Sequence, residues 1–475
     1  MRCSDMKEQG LSWIVQYLHE EMIMSIRRLF SDFSLCVVLV AVFSGCTGSP
    51  IERETVLYER LKASIDSIKV VNTHEHQQML KAVNFYTIAG RSYLNWNLEG
   101  LDWDLINAGK LDEQWEKCGQ SLNYNSATTF YDQLRRGFKL LYGFNDPYFT
   151  RENIRLLSAD IAENYSRFDQ WYGEAFTKAG FDIMLLDQWW NTFNMDIDTR
   201  YFALVFRINT LVMAISGAPE NIHFASAEFY ELAGKNGFSI KTLDDYLSFS
   251  DFLLQKHLEH DVVALKNSLA YDRTLYYEYI PYEKAKAVFA IPVGKRSDEQ
   301  KKMLEDFMFH WIIEKSIEYD LPVQIHTGYG PYTLEDGRPS NLNNLFIRYP
   351  KAKFILFHGG YPWTGEFIAL GKRFNNVYLD LVWLPQISRE RSIQVLDEML
   401  DCVPFNRIFW GGDCHFIEES AGSLEIARDV VARVCAKRID RGLMTEDTAR
   451  TVARSIFRDN AIEVFKLREK LKREF

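Results

Sequence analysis

Side chains that can bind a metal ion follow several short apolar segments of this chain. His74 and His76 lie in VVNTHEH, His326 in PVQIHTG, His358 in FILFHGG and Asp413 in RIFWGGD. Short apolar or β-branched segments bounded by turn signals are typical of buried strands. Imidazole nitrogens and carboxylate oxygens are common ligands of zinc in proteins. The sequence therefore predicts a metal site whose ligands come from separate strands.

The spacing of these residues favours one closed barrel. Side chains two residues apart in a strand point to the same face, so His74 and His76 can bind one ion together. In a (β/α)8 barrel the C-terminal ends of all strands share one mouth, where the active site lies. A single histidine at a strand end is often structural. The repetition of the pattern along the chain favours a catalytic site with an open coordination position.

Length and composition agree with a large α/β domain. The chain has 475 residues, of which 47% are hydrophobic, and its formal net charge is −10. Basic residues cluster only in the N-terminal leader and in the final segment KLREKLKREF. Nucleic acid is therefore not an expected partner, because phosphate binding needs clustered lysine and arginine. We expect a small-molecule substrate, and the sequence indicates no oligomeric state.

The N-terminus predicts a targeting segment and not a part of the fold. Arg27 and Arg28 precede an apolar stretch, 33–43, which is shorter than the roughly 20 residues that span a bilayer. The segment FSGC, ending at Cys46, resembles the signal and lipobox of bacterial lipoproteins, with Met24 as the start. The resemblance implies a lipidated Cys46 that anchors the protein in the bacterial cell envelope, at the periplasmic or outer-membrane face. A plain secretory signal and an uncleaved anchor are the alternatives.

The chain divides into three parts on this interpretation: a signal at 1–46, a linker or helix at 47–67, and a barrel at 68–475. Eight strand candidates alternate with helical segments, which favours the α/β class and a (β/α)8 TIM barrel. Residues 77–180 separate the first two strand candidates, far more than an ordinary connection. Their helical periodicity predicts a helical insertion after strand one that caps the barrel mouth.

Other histidines and cysteines give weaker signals. His257 and His260 lie near the end of a predicted helix, and we expect both to be exposed. Cys414 follows Asp413, but no motif supports it as a nucleophile. The seven cysteines lack the regular spacing of a disulfide framework.

The motifs resemble the amidohydrolase superfamily, and specifically its amidohydrolase-related branch, family 2. NTHEH, LPVQIHTGYG, FILFHGGYPW, NVYLDL and GGDCHFIEE match in order and spacing from about residue 68 to 420. The chain is also similar to the amidohydrolase-like domain that is fused to glutamine synthetase in some plant and fungal proteins. The resemblance implies a metal-dependent hydrolase barrel, whereas the insertion has no detailed match to the family.

The resemblance also implies roles for the strand-end residues. His74 and His76 match the strand-one metal ligands, and His326 matches the strand-five ligand. His358 matches the strand-six histidine, which binds a second metal or polarises water and substrate. Asp413 matches the strand-eight aspartate, which binds the metal or its water and takes a proton. A divalent ion lowers the pKa of bound water towards about 7, so hydroxide becomes available at neutral pH.

Further residues past the strand ends have open roles. Lys266 ends strand four, where two-metal members of the superfamily use a carboxylated lysine as a bridging ligand. The alternative is a lysine that pairs with Asp413 or with a substrate carboxylate. Arg273 suits a bidentate carboxylate clamp, or else forms a surface ion pair. Three more residues are candidate substrate contacts: Tyr329, Trp363 and His415.

Four functions are compatible with this sequence. The first is hydrolysis of a C–N or ester bond by water that one or two divalent ions activate. The substrate would be a small molecule, and one option is a substrate that carries a carboxylate. Zinc is the expected ion. A uronate-isomerase-like sugar isomerase and a non-oxidative decarboxylase on the same barrel are the second and third. The fourth is a lipid-anchored binding protein without activity, and the intact ligand set argues against it.

Overall fold

Eight parallel strands form the centre of the fold. The computed structural model describes residues 50–80, 82–221 and 223–472. The strands are β1 Val70–Glu75, β2 Phe181–Asp187, β3 Phe202–Arg207, β4 Ala264–Asn267, β5 Val323–Ile325, β6 Phe354–Leu356, β7 Val377–Asp380 and β8 Ile408–Phe409. Each strand pairs with the next, from β1 to β8. This is the strand order of the predicted (β/α)8 barrel.

The segment after β8 returns to β1 through backbone hydrogen bonds. The Asp413 amide donates to the His74 carbonyl at 2.9 Å, and the His76 amide donates to the Cys414 carbonyl at 2.9 Å. These bonds close the sheet at its mouth, the end where the C-terminal strand ends lie. They also bring Asp413 beside the two histidines of β1.

Helices connect the strands and surround them. The α-helices are α1 Pro50–Asp66, α2 Phe85–Arg91, α3 Trp103–Asn107, α4 Leu111–Tyr124, α5 Thr129–Tyr142, α6 Arg151–Ser166, α7 Phe168–Ala179, α8 Asn209–Ala214, α9 Ser226–Lys235, α10 Leu243–Glu259, α11 Tyr282–Phe289, α12 Asp298–Glu318, α13 Asn343–Arg348, α14 Thr364–Arg373, α15 Leu384–Ile387, α16 Arg389–Cys402, α17 Ile417–Asp440, α18 Glu446–Arg454 and α19 Asn460–Val464. A π-helical stretch, Ser455–Asp459, separates α18 from α19. The alternation of strands and helices gives each strand end a loop that can carry a functional side chain.

Helices α2 to α7 occupy the connection between β1 and β2, where the sequence predicts a helical insertion. Helix α5 ends at Gly143, with φ 73°, and α7 ends at Gly180, with φ 88°. Glycine adopts this left-handed conformation without steric cost, which is why it ends helices so often. Within the predicted insertion, α6 and α7 are separate helices that meet at Arg167.

Two glycines allow the insertion to lie directly against α17 of the barrel. A Cβ at Gly137 in α5 would lie 1.9 Å from the Glu418 carbonyl oxygen. A Cβ at Gly422 in α17 would lie 1.8 Å from the Gln133 carbonyl oxygen. Any larger side chain would therefore push the two backbones apart. The close contact fixes the insertion to the helix that follows the Asp413 segment.

A cluster of buried apolar residues fills the barrel. Ile183, Ala203 and Ile355 contribute from three different strands, and Phe465 and Leu467 pack against them from the C-terminal segment. Parallel strands are buried on both faces, which explains the near-continuous apolar segments in the sequence. This dense core holds the strand ends in fixed positions.

The predicted exposure of His257 is wrong, whereas His260 is exposed as expected. The His257 ring stacks on Phe206 with 3.6 Å between ring centres, and its Nδ1 donates to the Leu253 carbonyl at 2.8 Å. Phe249, Leu253 and His257 are spaced four residues apart and share the buried face of α10. The helical spacing places His257 on the core side although it lies close to the end of the helix.

The predicted targeting features lie outside the described residues. Arg27, Arg28 and Cys46 belong to residues 1–49, so the lipid anchor stays a prediction. Within the described part of the chain, no helix is both long enough and apolar enough to cross a membrane. Helix α1, Pro50–Asp66, lies within the region predicted to be a linker or helix.

Candidate metal centre

His74, His76 and Asp413 converge at the mouth of the barrel. Oδ1 of Asp413 lies 3.4 Å from Nε2 of His74 and 3.2 Å from Nε2 of His76. Ligand atoms about 2.1 Å from a tetrahedral zinc ion lie roughly 3.4 Å from one another. The separations therefore suit three ligands of one ion. We call His74, His76, His326, His358 and Asp413 the metal centre.

The nitrogens of the two β1 histidines are available as ligands. His74 is fully buried, and neither of its ring nitrogens has a hydrogen-bond partner among the described residues. Burial, reinforced by the charge of Lys266, lowers the pKa of His74 well below its ordinary value. The ring is therefore neutral, as a metal ligand must be. His76 Nδ1 donates to the Asp187 carbonyl at 2.8 Å, so Nε2 is the nitrogen that would bind a metal once the ring is neutral.

His326 and His358 form a second pair of nitrogen donors. His326 Nε2 donates to the Tyr329 carbonyl at 3.0 Å, and His358 Nδ1 donates to the Val382 carbonyl at 3.1 Å. The other two ring nitrogens, His326 Nδ1 and His358 Nε2, lie 2.9 Å apart. Burial lowers the pKa of His358 to about 4 and that of His326 well below its ordinary value. At neutral pH two lone pairs therefore face each other, an arrangement that a bound cation stabilises.

Asp413 is ionised in this environment. Burial opposes its ionisation, but the surrounding histidines, first His76 and then His74 and His358, together outweigh burial and hold the pKa of Asp413 well below its ordinary value. The residue is 4% exposed and follows β8, at the end of the barrel where the mouth lies. It can therefore bind a cation or accept a proton at neutral pH.

Backbone strain is concentrated at three residues of the mouth. His358, Trp383 and Asp413 have φ angles of 64°, 64° and 59°, and they follow β6, β7 and β8. A non-glycine residue in this conformation costs of order 1–3 kcal/mol, and such residues cluster at functional sites. The surrounding barrel holds all three in place, as expected where side-chain direction matters more than local stability.

Sequence analysis missed Asp187 and Arg207, which end β2 and β3. A carboxylate oxygen of Asp187 and ring nitrogens of His74 and His76 all lie within 4.8 Å of one another. Arg207 binds both oxygens of Asp187, with Nε–Oδ1 at 3.0 Å and Nη2–Oδ2 at 2.7 Å. Because the arginine occupies both oxygens, Asp187 suits orientation of the histidines better than direct ligation. The signal for Asp187 was a carboxylate at the end of FDIMLLDQ.

Lys266 lies inside the barrel near the metal centre. Its Nζ is 3.8 Å from the centre of the Phe357 ring, and it forms no hydrogen bond or ion pair with the described residues. Burial lowers the pKa of Lys266 to about 7, against the raising effects of Asp413 and Asp187. The predicted ion pair with Asp413 is thus absent among these residues. The lysine is partly neutral at pH 7, which is the form that reacts with carbon dioxide.

Arg273 has partners within its own chain. Its guanidinium binds Glu305 at 2.8 Å, binds Asp306 as well, and lies 4.7 Å from the centre of the Tyr277 ring. The ion pair is buried, with the Arg273 side chain 9% exposed. Two carboxylates of α12 therefore occupy the Arg273 guanidinium, which was predicted to bind a substrate carboxylate.

Two of the three candidate substrate contacts lie near the mouth. The Tyr329 ring is 5.8 Å from the Trp383 ring, and the His415 ring is 5.7 Å from the His76 ring. Trp363 lies beside Arg338, whose guanidinium is 6.0 Å from its ring centre. Tyr329 and His415 thus contact rings around the metal centre, whereas Trp363 contacts Arg338.

Aromatic rings that sequence analysis did not single out cover the centre. Tyr93 and Trp96 of the insertion lie 4.4 Å and 5.5 Å from the Trp383 ring. Tyr271, after β4, lies 4.6 Å from the His326 ring. The sequence predicted that the insertion caps the mouth, but periodicity alone does not indicate which ring reaches across it.

A family match agrees with the motifs. A family model described as amidohydrolase matches residues 293–467. Protein fluG of Emericella nidulans is 34% identical over 152 residues, which make up 31% of this chain and 18% of fluG. Both matches confirm the predicted resemblance to the amidohydrolase-related family over the matched residues.

Solved structures share the fold. A candidate metal-dependent hydrolase from Lactobacillus casei ATCC 334 is 17% identical with a TM-score of 0.60, and the match covers 87% of this chain and 99% of that one. Uronate isomerase from Thermotoga maritima is 13% identical with a TM-score of 0.68, covering 86% of this chain and 97% of that one. At such identities the likeness concerns the fold alone.

Proposed function

We propose that this protein is a metal-dependent hydrolase that cleaves a C–N or ester bond of a small substrate with metal-activated water. The convergence of His74, His76 and Asp413 at separations that suit one ion is the observation that supports this most directly. The amidohydrolase match supports it further, because it spans His326, His358 and Asp413.

The donors suggest how metal would be held. His74, His76 and Asp413 would bind one divalent ion, which we expect to be zinc. His326 and His358 would complete that site or bind a second ion. A bound ion of this kind supplies water that ionises near neutral pH, because it lowers the pKa of water towards about 7.

The position of the proton on His358 decides between its two predicted roles, as a metal ligand or as a group that polarises the substrate. Its Nδ1 donates to the Val382 carbonyl, so Nε2 carries a lone pair in the neutral ring. A lone pair cannot donate a hydrogen bond to a substrate carbonyl. The tautomer therefore favours His358 as a metal ligand over His358 as the group that polarises the substrate.

Asp413 is the residue best placed to move the proton. Its ionised carboxylate accepts a proton from the attacking water and then returns it to the leaving group. Oδ1 lies near both β1 histidines, 3.4 Å from His74 and 3.2 Å from His76, so the carboxylate would lie beside an ion held by these residues and beside the water on that ion. The rings of Tyr93 and Trp383 exclude bulk water, which strengthens every charge interaction inside the site.

Turnover in oxygen-18-labelled water tests the proposal. Metal-loaded protein is incubated with a panel of small esters, lactones and N-acyl compounds, and the products are analysed by mass spectrometry. Hydrolysis places one labelled oxygen in the acid product, and His74→Ala protein serves as the inactive control. A uronate converted to its keto isomer, or a carboxylate lost as carbon dioxide, would favour the isomerase or the decarboxylase and contradict the hydrolase.

We also propose that Cys46 anchors the protein by lipid to the bacterial cell envelope. Arg27 and Arg28, the short apolar stretch 33–43 and the FSGC segment support this location. A lipid-anchored hydrolase of this kind would meet its substrate outside the cytoplasm.

A further inference from the structure

A cavity of about 530 Å³ lies beside the metal centre, between the segments that follow β1 and β2. Small-molecule sites commonly have volumes of roughly 300–1,000 Å³. Two residues of the cavity wall, Gln77 and Gln188, directly follow His76 and Asp187 in the sequence. The wall combines polar and aromatic side chains: Gln78, Arg91, Gln188, Trp189, Trp190 and Asp196.

Arg91 is held in place without being neutralised. It ends α2 of the insertion, and its Nη1 donates to Oε1 of Gln78 at 3.0 Å. Its guanidinium lies 5.3 Å from the centre of the Trp103 ring. Among the described residues, no carboxylate lies within ion-pair distance of this guanidinium. Arg207 and Arg273 differ, because each binds a carboxylate of its own chain.

Two contacts connect Arg91 to the metal centre. The Gln78 amide donates to the His415 carbonyl at 2.8 Å, while the Gln78 side chain accepts from Arg91. The His415 ring in turn lies 5.7 Å from the His76 ring. The cavity wall at Gln78 and Arg91 is therefore separated from His76 by His415 alone along this series of contacts.

The remaining wall suits an apolar body next to a local positive charge. Trp189 and Trp190 present aromatic surface, and Trp190 is 42% exposed. Asp198 is paired with Arg200 at 2.6 Å, whereas Asp196 adds a negative charge elsewhere in the wall. A negative group of a ligand is therefore stabilised at Arg91 in particular and not throughout the cavity.

We propose that this cavity binds the part of the substrate remote from the cleaved bond, and that Arg91 pairs with a carboxylate on that part. The inference rests on the proposed function and names its substrate class, a small carboxylic acid with a flat apolar body. The planar guanidinium can bind both carboxylate oxygens at once. Arg91 thus takes the role that the sequence had suggested for Arg273.

Binding of two matched probes tests the inference without turnover. Phenylpropanoate carries a carboxylate, and benzylacetone is the uncharged methyl ketone of the same length. Dissociation constants are measured by NMR titration on metal-loaded wild type, Arg91→Gln, Arg91→Lys and Arg155→Gln. Arg155 is the matched control, because it is an exposed arginine of the same insertion that lines a different cavity. Circular dichroism and metal content confirm that each variant is folded and loaded.

Wild type should bind phenylpropanoate about tenfold more tightly than benzylacetone, as a charge-assisted hydrogen bond predicts. Arg91→Gln should reduce this preference to about twofold or less, Arg91→Lys should keep part of it, and Arg155→Gln should keep all of it. A preference that survives in Arg91→Gln would overturn the proposal. A wild type that hydrolyses a substrate but shows no preference would overturn Arg91 alone, whereas preference without any hydrolysis would contradict only the proposed function.

Discussion

Asp413 brings together three properties that a catalytic carboxylate needs. It is ionised, because the surrounding histidines, first His76 and then His74 and His358, together outweigh the effect of burial on its pKa. Its backbone is strained, with φ 59°, in a barrel that otherwise favours regular geometry. Its oxygen lies within 3.4 Å of two candidate metal ligands. These properties make it the residue whose replacement is most informative about the reaction.

Asp413→Asn should lower kcat by roughly 10²–10⁴-fold, the usual contribution of general acid–base catalysis. The amide keeps the size of the side chain but cannot take a proton. Kinetics on the best substrate of the panel, with metal content measured on the same sample, check this prediction. A fully loaded variant with near-normal kcat would show that another group moves the proton.

We propose that a carboxylated Lys266 would allow the centre to hold a second ion. Carbon dioxide adds only to the neutral amine, which then loses a proton and becomes a carbamate. Since the pKa of Lys266 is about 7, the neutral fraction and thus the second ion should increase as the pH rises through 7 and as bicarbonate is added. The ratio of metal to protein measures this, with Lys266→Met as the control. If the metal-to-protein ratio does not change with bicarbonate and equals the ratio in Lys266→Met, Lys266 does not have this role.

Functional residues at the ends of apolar strand segments could be predicted from the sequence. His74, His76, His326 and Asp413 were found from the sequence because each stands at the end of an apolar segment. The pairing of Asp187 with Arg207 was not, because it depends on the register of β2 against β3. Long-range partners of this kind are set by the folded barrel and leave no local pattern.

At the scale of elements, the contact between α5 and α17 connects the insertion to the active-site loops. Gly137 and Gly422 lie where a Cβ would overlap a carbonyl oxygen of the facing helix, at 1.9 Å and 1.8 Å. Helix α17 also begins four residues after Asp413. A displacement of α5 would therefore disturb both Tyr93 above the centre and the segment that carries Asp413.

Gly137→Ala should destabilise the protein by about 1–3 kcal/mol, as overpacking of a close contact does. Gly234→Ala is the matched control, because Gly234 lies in α9 with nothing within 4 Å of the added Cβ. That control should leave stability unchanged or raise it by up to about 1 kcal/mol, since alanine favours helices over glycine. Chemical denaturation measures both. Equal stability of the two variants would refute the close contact.

The sequence predicted whether a segment forms a strand or a helix better than it predicted where each element begins and ends. β1, β5, β6 and β8 lie within the segments VVNTHEH, PVQIHTG, FILFHGG and RIFWGGD, because strands buried on both faces have continuous apolar patterns. The predicted helical insertion contains a break at Arg167, between α6 and α7, that periodicity did not indicate. The buried position of His257 was also missed, because a helix end near the surface still has an inward face.

At the scale of the whole molecule, the fold does not determine the reaction. Structures described as a hydrolase and as a uronate isomerase share this barrel at 17% and 13% identity. Function must therefore be argued from the site, where the orphaned nitrogens of His74 and the facing lone pairs of His326 and His358 indicate a metal.

The location of the whole molecule is tested at Cys46. Wild type expressed in a bacterium should partition with membranes, whereas Cys46→Ser should lack lipid and leave the membrane fraction. Fractionation and mass spectrometry of the N-terminus measure this, and Cys402→Ser is a control with a cysteine of the described part of the chain. Wild type found in the cytoplasm with residues 24–45 attached would disprove the anchor.

Metal content is the most direct test of the central claim, which is that the barrel mouth binds a catalytic divalent ion. Elemental analysis of purified wild type should find one or two divalent ions per chain, expected to be zinc. The double variant His74→Ala/His76→Ala should lose most of this metal and the activity, while a variant with His260→Ala, an exposed histidine outside the centre, keeps both. Full metal occupancy in the folded double variant would contradict the account.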